Sequence, residues 1–344
     1  MQQIFIGTYT EGTKSQGIYT VLFDEETGSL SRQFSCGACK NPSFVIQNGT
    51  YLFAAEELDS RGQVASFQID PEGRLLRIGE QSVPGSLTCH VQLNRQGTRL
   101  YAANYGSGCY FGCSVSDGTI GCAHTHIQNR GHGSHPQRQE GPHAHSVNFA
   151  SEETELLTAD LGIDCILRDR ILEDGTLVPH RVQPRITLPS GQGPRHMAFH
   201  PGGRWFYVAT ELGNHVFQFT RDGAMWNQTG AWPTLPPEFT EPNLAADLHI
   251  SPDGKRLFVS NRGKDDIAVY RIASENGALT ELFRIETRGR TPRNFALLAD
   301  GRYLIIANQD SDLLVAYAME QNASRARLVS ELSIPSPVCI CPRR

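Results

Sequence analysis

Four glycine turns mark a register in which side chains able to do chemistry recur. Eight residues before Gly97, Gly203, Gly254 and Gly301 stand Cys89, Arg195, Ala246 and Arg293, and the matching place before the SEET turn at 151–154 holds His145. One residue on come His90, Ser146, His196, Asp247 and Asn294. Beyond the turns the chain places Asn104, Asp160, Asn261 and Asn308, and next to them Tyr105, Glu211, Arg262 and Gln309. Arginine holds a carboxylate or phosphate through paired N–H donors. A histidine with its usual pKa of about 6.5 can take a proton from water and return it to a leaving oxygen. The plainer reading is a set of polar pairs that stitch neighbouring elements together. Arg195, Arg262 and Arg293 converging in one hole weaken that reading, because like charges repel unless carboxylates or a bound anion offset them.

A repeat is what brings these residues together. A short apolar strand, a turn with Gly or Asp, and an apolar strand ending in a polar residue recur from Phe44, Val91, Val147, His196, Leu248 and Phe295. The stretch from Gly193 to Glu211, GPRHMAFHPGGRWFYVATE, joins a cation to an acid through one such hairpin. A second phrase follows the copies, an alternating strand into an acidic Gly turn, as in IYTVLFDEETGSL, VASFQIDPEGRL and IAVYRIASENGAL. Alternation with period two, bounded by D-G, N-G and E-G pairs, reads as antiparallel strands with tight turns, about four per unit. Gly254 and Gly301 lie one unit apart, a period of roughly 50 residues and in the range of propeller blades.

The two ends complete the set. IFIGTY at 4–9 lacks a preceding strand and SPVCI at 336–340 lacks a following one, and joined they form a seventh unit with no exposed sheet edge. The expected fold is all-β, a seven-bladed β-propeller whose last blade is closed by the N- and C-terminal strands, in a single domain over 1–344. Equal offsets then become equal places around the central channel. Adjacent antiparallel strands return both columns of side chains to one mouth.

Bulk properties exclude several classes. No run approaches the ~20 apolar residues of a membrane span, and a formal charge of −5 with pI near 6.2 gives no broad basic field for nucleic acid or anionic lipid. The opening MQQIFIGTYT enters an apolar strand at once, without a charged leader, which points to the cytoplasm. Nine cysteines, an odd count, suit reduced thiols packed as small hydrophobes. Cys36-x-x-Cys39 has no second pair at zinc spacing. The oligomeric state is not indicated.

Six of the twelve histidines fall between His124 and His145, in an insertion whose Gly, Pro and Ser mark a loop at about 123–144. His143 and His145 on an extended segment would share a face, but no acidic pair accompanies them, so neither metal nor cofactor is expected. His145 falls in the arginine column, whereas His124, His126, His132 and His135 read as solvated loop residues. The N-x-Ser/Thr triplets at Asn48, Asn227 and Asn322 are chance matches in a cytoplasmic protein.

GPRHMAFHP at 193–201, HPQRQEGPHAHSV at 135–147, AADLHISPDGKRLFVSNR at 245–262 and TPRNFAL at 291–297 resemble the lactonase family of seven-bladed propellers. That family contains bacterial 6-phosphogluconolactonases and is similar to fungal carboxy-muconate lactonizing enzymes. The resemblance covers nearly the whole chain, SQGIYT and SPVC included; the CYFGCSVSDGTIGCAH stretch from Cys109 departs from the regular alternation expected of an outer strand, and the short CPRR end is also unusual. It implies hydrolysis of 6-phosphogluconolactone at the channel mouth. Carried over by motif, the catalytic positions are His145, Arg195, Glu211 and Arg293. Arg262 and Asp247 are their neighbours, and His196, His90 and His143 are further substrate-binding candidates.

The expected chemistry is ring opening of a small anionic sugar lactone by water. His145, or else Glu211, draws the proton, Arg195 and Arg293 hold the substrate anion or the developing oxyanion, and Glu211 orients an arginine or the substrate hydroxyls. No G-x-S-x-G elbow and no Cys–His pair stand out, so a covalent acyl-enzyme is not expected. The rivals are a cycloisomerase closing an unsaturated dicarboxylate, and a propeller serving as an interaction platform, which would show an apolar rim and a quiet channel.

Overall fold

The computed structural model describes residues 1–150, 152–320 and 325–343; Ser151 of the SEET turn, Asn322 and Arg344 lie outside them. Seven antiparallel sheets make up the fold, six with four strands and one with five. They form a seven-bladed β-propeller, as the repeat period implies. In the first blade Pro337–Pro342 pairs with Gln2–Thr8, with Ile6 opposite Ile340, so the termini close the ring. Gly7 is required there, because a Cβ would collide with the Pro42 carbonyl of the next blade.

The alternating pattern makes two buried faces per blade. Among the described residues seven apolar clusters form, and each joins neighbouring blades. One packs Trp205 and Tyr207 against Leu257 and Val259, and another packs Ile4 and Ile6 against Ile305 and Ala307 across the closure. The acidic Gly turns also bridge blades: Tyr101 donates to Gly175 O at 2.7 Å and Tyr207 to Gly277 O at 2.6 Å.

Two local features differ from the sequence reading. The fourth blade has its outer position filled by two short strands, Leu177–Pro179 and Arg185–Thr187, both on Cys165–Ile171. Pro179 and Pro184 flank the break, and proline cannot donate to a ladder. The histidine-rich loop starts later than expected, because Thr119–Gln128 is a strand that carries His124 and His126. Period-two alternation continues through GCAHTHIQ, and bulges at Cys113 absorb the irregularity of the stretch from Cys109. His124 packs edge-on against Tyr101 at 6.2 Å. No helix of the described residues is long and apolar enough to cross a membrane.

Deleting residues 337–344 should open the ring. The strand buries Val338, Cys339, Ile340 and Cys341, worth more than about 5 kcal/mol at ~1.5–3 kcal/mol per large apolar side chain, comparable to a whole domain's stability. Loss of cooperative thermal unfolding with self-association by size-exclusion chromatography is expected. An unchanged melting temperature would refute closure.

Candidate active site

Every blade's innermost strand carries an irregularity at the same place. Register shifts fall between Pro42 and Phe44, Thr88 and His90, Ala144 and Ser146, Pro194 and His196, and Pro292 and Asn294, and correspondingly in the sixth and first blades. The skipped residues are Ser43, Cys89, His145, Arg195 and Arg293, with Val338 in the first blade and both Ala246 and Asp247 in the sixth. A bulge re-aims a side chain that the ladder would otherwise commit to one face. Here it turns one residue per blade into the channel. Ser43, Cys89, His145, Arg195, Arg293 and Val338, with Phe44, His196 and Asn294, line a neck with about 10 Å³ of free space, room for about one water.

Above the neck the second strands deliver the partner column. Glu211, 2% exposed, accepts from Arg195 Nε at 2.9 Å and Arg262 Nη2 at 2.6 Å on Oε2, and from Arg138 Nη2 on Oε1. Burial alone would raise the Glu211 carboxyl, but Arg262, Arg195, His145 and Arg138 outweigh it and hold it well below the carboxylate range. Glu211 is therefore an anion that positions arginines and a poor base. Burial and the repulsion of Arg262 and Arg293 press Arg195 down to about 10. Arg293 lies over the Tyr9 ring at 5.2 Å, and Tyr9 in turn donates to Glu57 Oε2 at 2.7 Å. The Arg293 guanidinium bonds no other described residue, and Arg262 Nε is buried without a partner.

His145 is 5% exposed, at ring distances of 5.5 Å from Tyr105 and 5.3 Å from His196. Burial first, then Arg195, His196 and Arg293, hold its imidazole well below the ordinary value, so it is neutral at neutral pH. Cys89 Sγ stands 4.0 Å from His145 Nδ1 and donates to His145 O at 3.3 Å. This is a Cys–His juxtaposition that the sequence reading did not see. Burial pushes the Cys89 thiol up, away from the thiolate a nucleophile needs. All nine cysteines are free thiols.

The expected substrate-binding histidines divide. His143 stacks on Tyr105 at 4.5 Å, with Nδ1 2.9 Å from Tyr105 O, at the mouth. His196 lies in the neck, held by Asp247 Oδ1 at 2.7 Å and kept down to about 4 by burial and Arg195. Asp247 also accepts from His249 Nε2 at 2.8 Å and Asn294 Nδ2 at 2.5 Å. His196, Asp247 and His90 also line a cavity of about 330 Å³ that adjoins the neck and shares Phe44, His196 and Asn294 with it. A larger cavity, about 750 Å³, opens on the outer strands of the fifth blade and shares no residue with the channel.

Three mouth residues were missed. Tyr9 and Glu57 occupy the Tyr105 column and were within reach of the repeat alignment, which stopped one residue short of Glu57. Arg138 sits on the insertion, where no periodicity assigns it a place.

Seven blades around a channel whose mouth is lined with arginines define a propeller lactonase. Residues 3–342 match the family described as Lactonase, 7-bladed beta-propeller, and the chain belongs to it. It is 33% identical over 343 residues to the 6-phosphogluconolactonase of Bacillus subtilis (strain 168), covering 98% of this chain and 97% of that one. The 6-phosphogluconolactonase of Formosa agariphila is 30% identical over 341 residues, 96% of each chain. The Pseudomonas aeruginosa periplasmic gluconolactonase has the same fold, with a TM-score of 0.93 at 28% identity, covering 100% of this chain and 99% of that one.

Proposed function

We propose that this protein hydrolyses 6-phosphogluconolactone to 6-phosphogluconate at the arginine-lined mouth. Full-length relatives carrying that name support the reaction. The observation that carries the substrate class is charge: four guanidinium groups, of Arg138, Arg195, Arg262 and Arg293, meet two carboxylates, Glu211 and Glu57. Glu140, 3.3 Å from His143 Nε2 on the rim, adds a third carboxylate, and the positive charge that remains, with Arg293 and Arg262 Nε unbonded, suits a phosphate dianion better than a neutral sugar lactone.

In the proposed step His145 takes a proton from water as its oxygen bonds the lactone carbonyl carbon. Arg195 and Arg293 hold the oxyanion that develops. The intermediate collapses by breaking the ring C–O bond, and His145 returns the proton to the departing ring oxygen. Glu211 fixes Arg195 and Arg262 and stays ionised throughout. Free thiols fit a reducing compartment, and a cytoplasmic setting is proposed on that ground.

Freshly prepared 6-phosphogluconolactone should disappear faster with the purified protein than alone at neutral pH, and the rate should be indifferent to EDTA. A rate equal to spontaneous hydrolysis would end this reading.

A further inference from the structure

We propose that Arg138, carried by the histidine-rich insertion, makes the site discriminate phosphorylated from unphosphorylated lactones; this rests on the lactonase reading above. The insertion is a built scaffold in spite of its loop composition. Asp160 holds both its feet: Oδ2 accepts from Asn129 Nδ2 at 2.6 Å and Oδ1 from the His143 backbone N–H at 2.7 Å. Gln139, 1% exposed, pins the tip. Its Oε1 accepts from the backbone N–H groups of Ser134 and His135, each at 3.0 Å, and its Nε2 donates to Leu161 O at 2.8 Å. His135 Nδ1 accepts from the backbone N–H of Arg138 at 3.2 Å, tying the turn to its own side chain. What this rigid turn presents at the mouth is the Arg138 guanidinium.

Arg138 differs from the other arginines bonded to Glu211. Its side chain is 32% exposed, against 3% for Arg195 and 11% for Arg262, so it forms the solvent edge of the cluster. Nη2 alone makes its contacts, to Glu211 and to Tyr105 OH at 3.1 Å. Nε and Nη1 bond no described residue. With the lactone carbonyl at the neck beside His145, the far end of the sugar points outward toward this edge. A phosphate there meets a guanidinium with free nitrogens, the pairing for which arginine is suited. An unphosphorylated lactone places only a hydroxyl at that point.

The test compares Arg138→Ala and Arg138→Lys with the unaltered protein on 6-phosphogluconolactone and on glucono-1,5-lactone. Arg138→Ala should cut kcat/KM for the phosphorylated substrate by roughly 10–100-fold, mainly through KM, as loss of a charge-assisted pair does. The unphosphorylated lactone should change by less than about 3-fold, and Arg138→Lys, which keeps charge without the fork, should lie between. Equal losses on both lactones would reduce Arg138 to a support for Glu211 and overturn the proposal, as would an unchanged KM for the phosphorylated one. If the unaltered protein hydrolyses neither lactone, the lactonase reading falls, and calorimetric titration with 6-phosphogluconate and with gluconate still decides the point. A preference for the phosphorylated acid that vanishes in Arg138→Ala upholds the proposal, and one that survives, or no preference at all, overturns it.

Discussion

Replacing His145 with alanine is expected to lower kcat on 6-phosphogluconolactone by roughly 10²–10⁴-fold, the usual worth of a placed general base, while the melting curve stays cooperative. The pH dependence sharpens the expectation. Burial, Arg195, His196 and Arg293 hold the His145 imidazole well below its ordinary range, so in the free protein the neutral form persists from neutral pH into mild acid. The limb of kcat/KM should therefore fall off only well below about pH 6.5. Substrate binding changes the balance, because the phosphate dianion held at Arg138 adds negative charge to the mouth and offsets part of the positive field that depresses the imidazole. Its proton affinity rises when it is needed, and the acid limb of kcat should lie at higher pH than that of kcat/KM. His145→Ala should remove the limb altogether. Full turnover in the alanine variant, or a kcat limb at lower pH than that of kcat/KM, would remove His145 from the role of base.

The column arithmetic groups His145 with Arg195 and Arg293 because a propeller repeats its backbone irregularities as well as its strands. The bulge at the start of each inner strand leaves no mark in composition, yet it falls at the same offset in every unit, so Arg195, Arg293, His145 and Cys89 could be grouped without knowing that it exists. Depth along the channel could not be read that way. Arg195 and His196 are adjacent in sequence, and only the bulge decides that one bonds Glu211 above the neck while the other bonds Asp247 below it. The Cys89–His145 contact was hidden for a related reason: residues at equal offsets in neighbouring blades look equivalent and are in fact touching. Asp160 shows the limit from the other side. It stands in the polar column of the second strands but spends both oxygens on the feet of the insertion. Arg138 was illegible because a loop has no period, and its place follows from hydrogen bonds to Gln139, His135 and Asp160 that no local pattern encodes.

Removing the Glu211 carboxylate should be the most damaging single change to the fold of the mouth. Glu211→Ala leaves Arg195, 2% exposed, and Arg262 without the oxygen they share. Stripping one member from a buried ionic group costs about 3–5 kcal/mol, a large share of a typical ~5–15 kcal/mol. A drop in melting temperature of roughly 4–7 °C follows for a chain of this size, together with loss of lactonase turnover. Because the arginines hold the Glu211 carboxyl well below its ordinary value, its contribution is fully present above the usual carboxylate pKa of about 4.3 and is lost as pH falls through the lower folded value. The gap in stability between the unaltered protein and Glu211→Ala should thus be widest at neutral pH and narrow in acid, as read by urea denaturation at a series of pH values. Inorganic phosphate gives an independent check. It can enter the vacated cluster and bind only the folded state, so it should raise the melting temperature of Glu211→Ala more than that of the unaltered protein. A gap that stays constant with pH, with no phosphate effect, would mean that the carboxylate fills space at the mouth without neutralising its arginines.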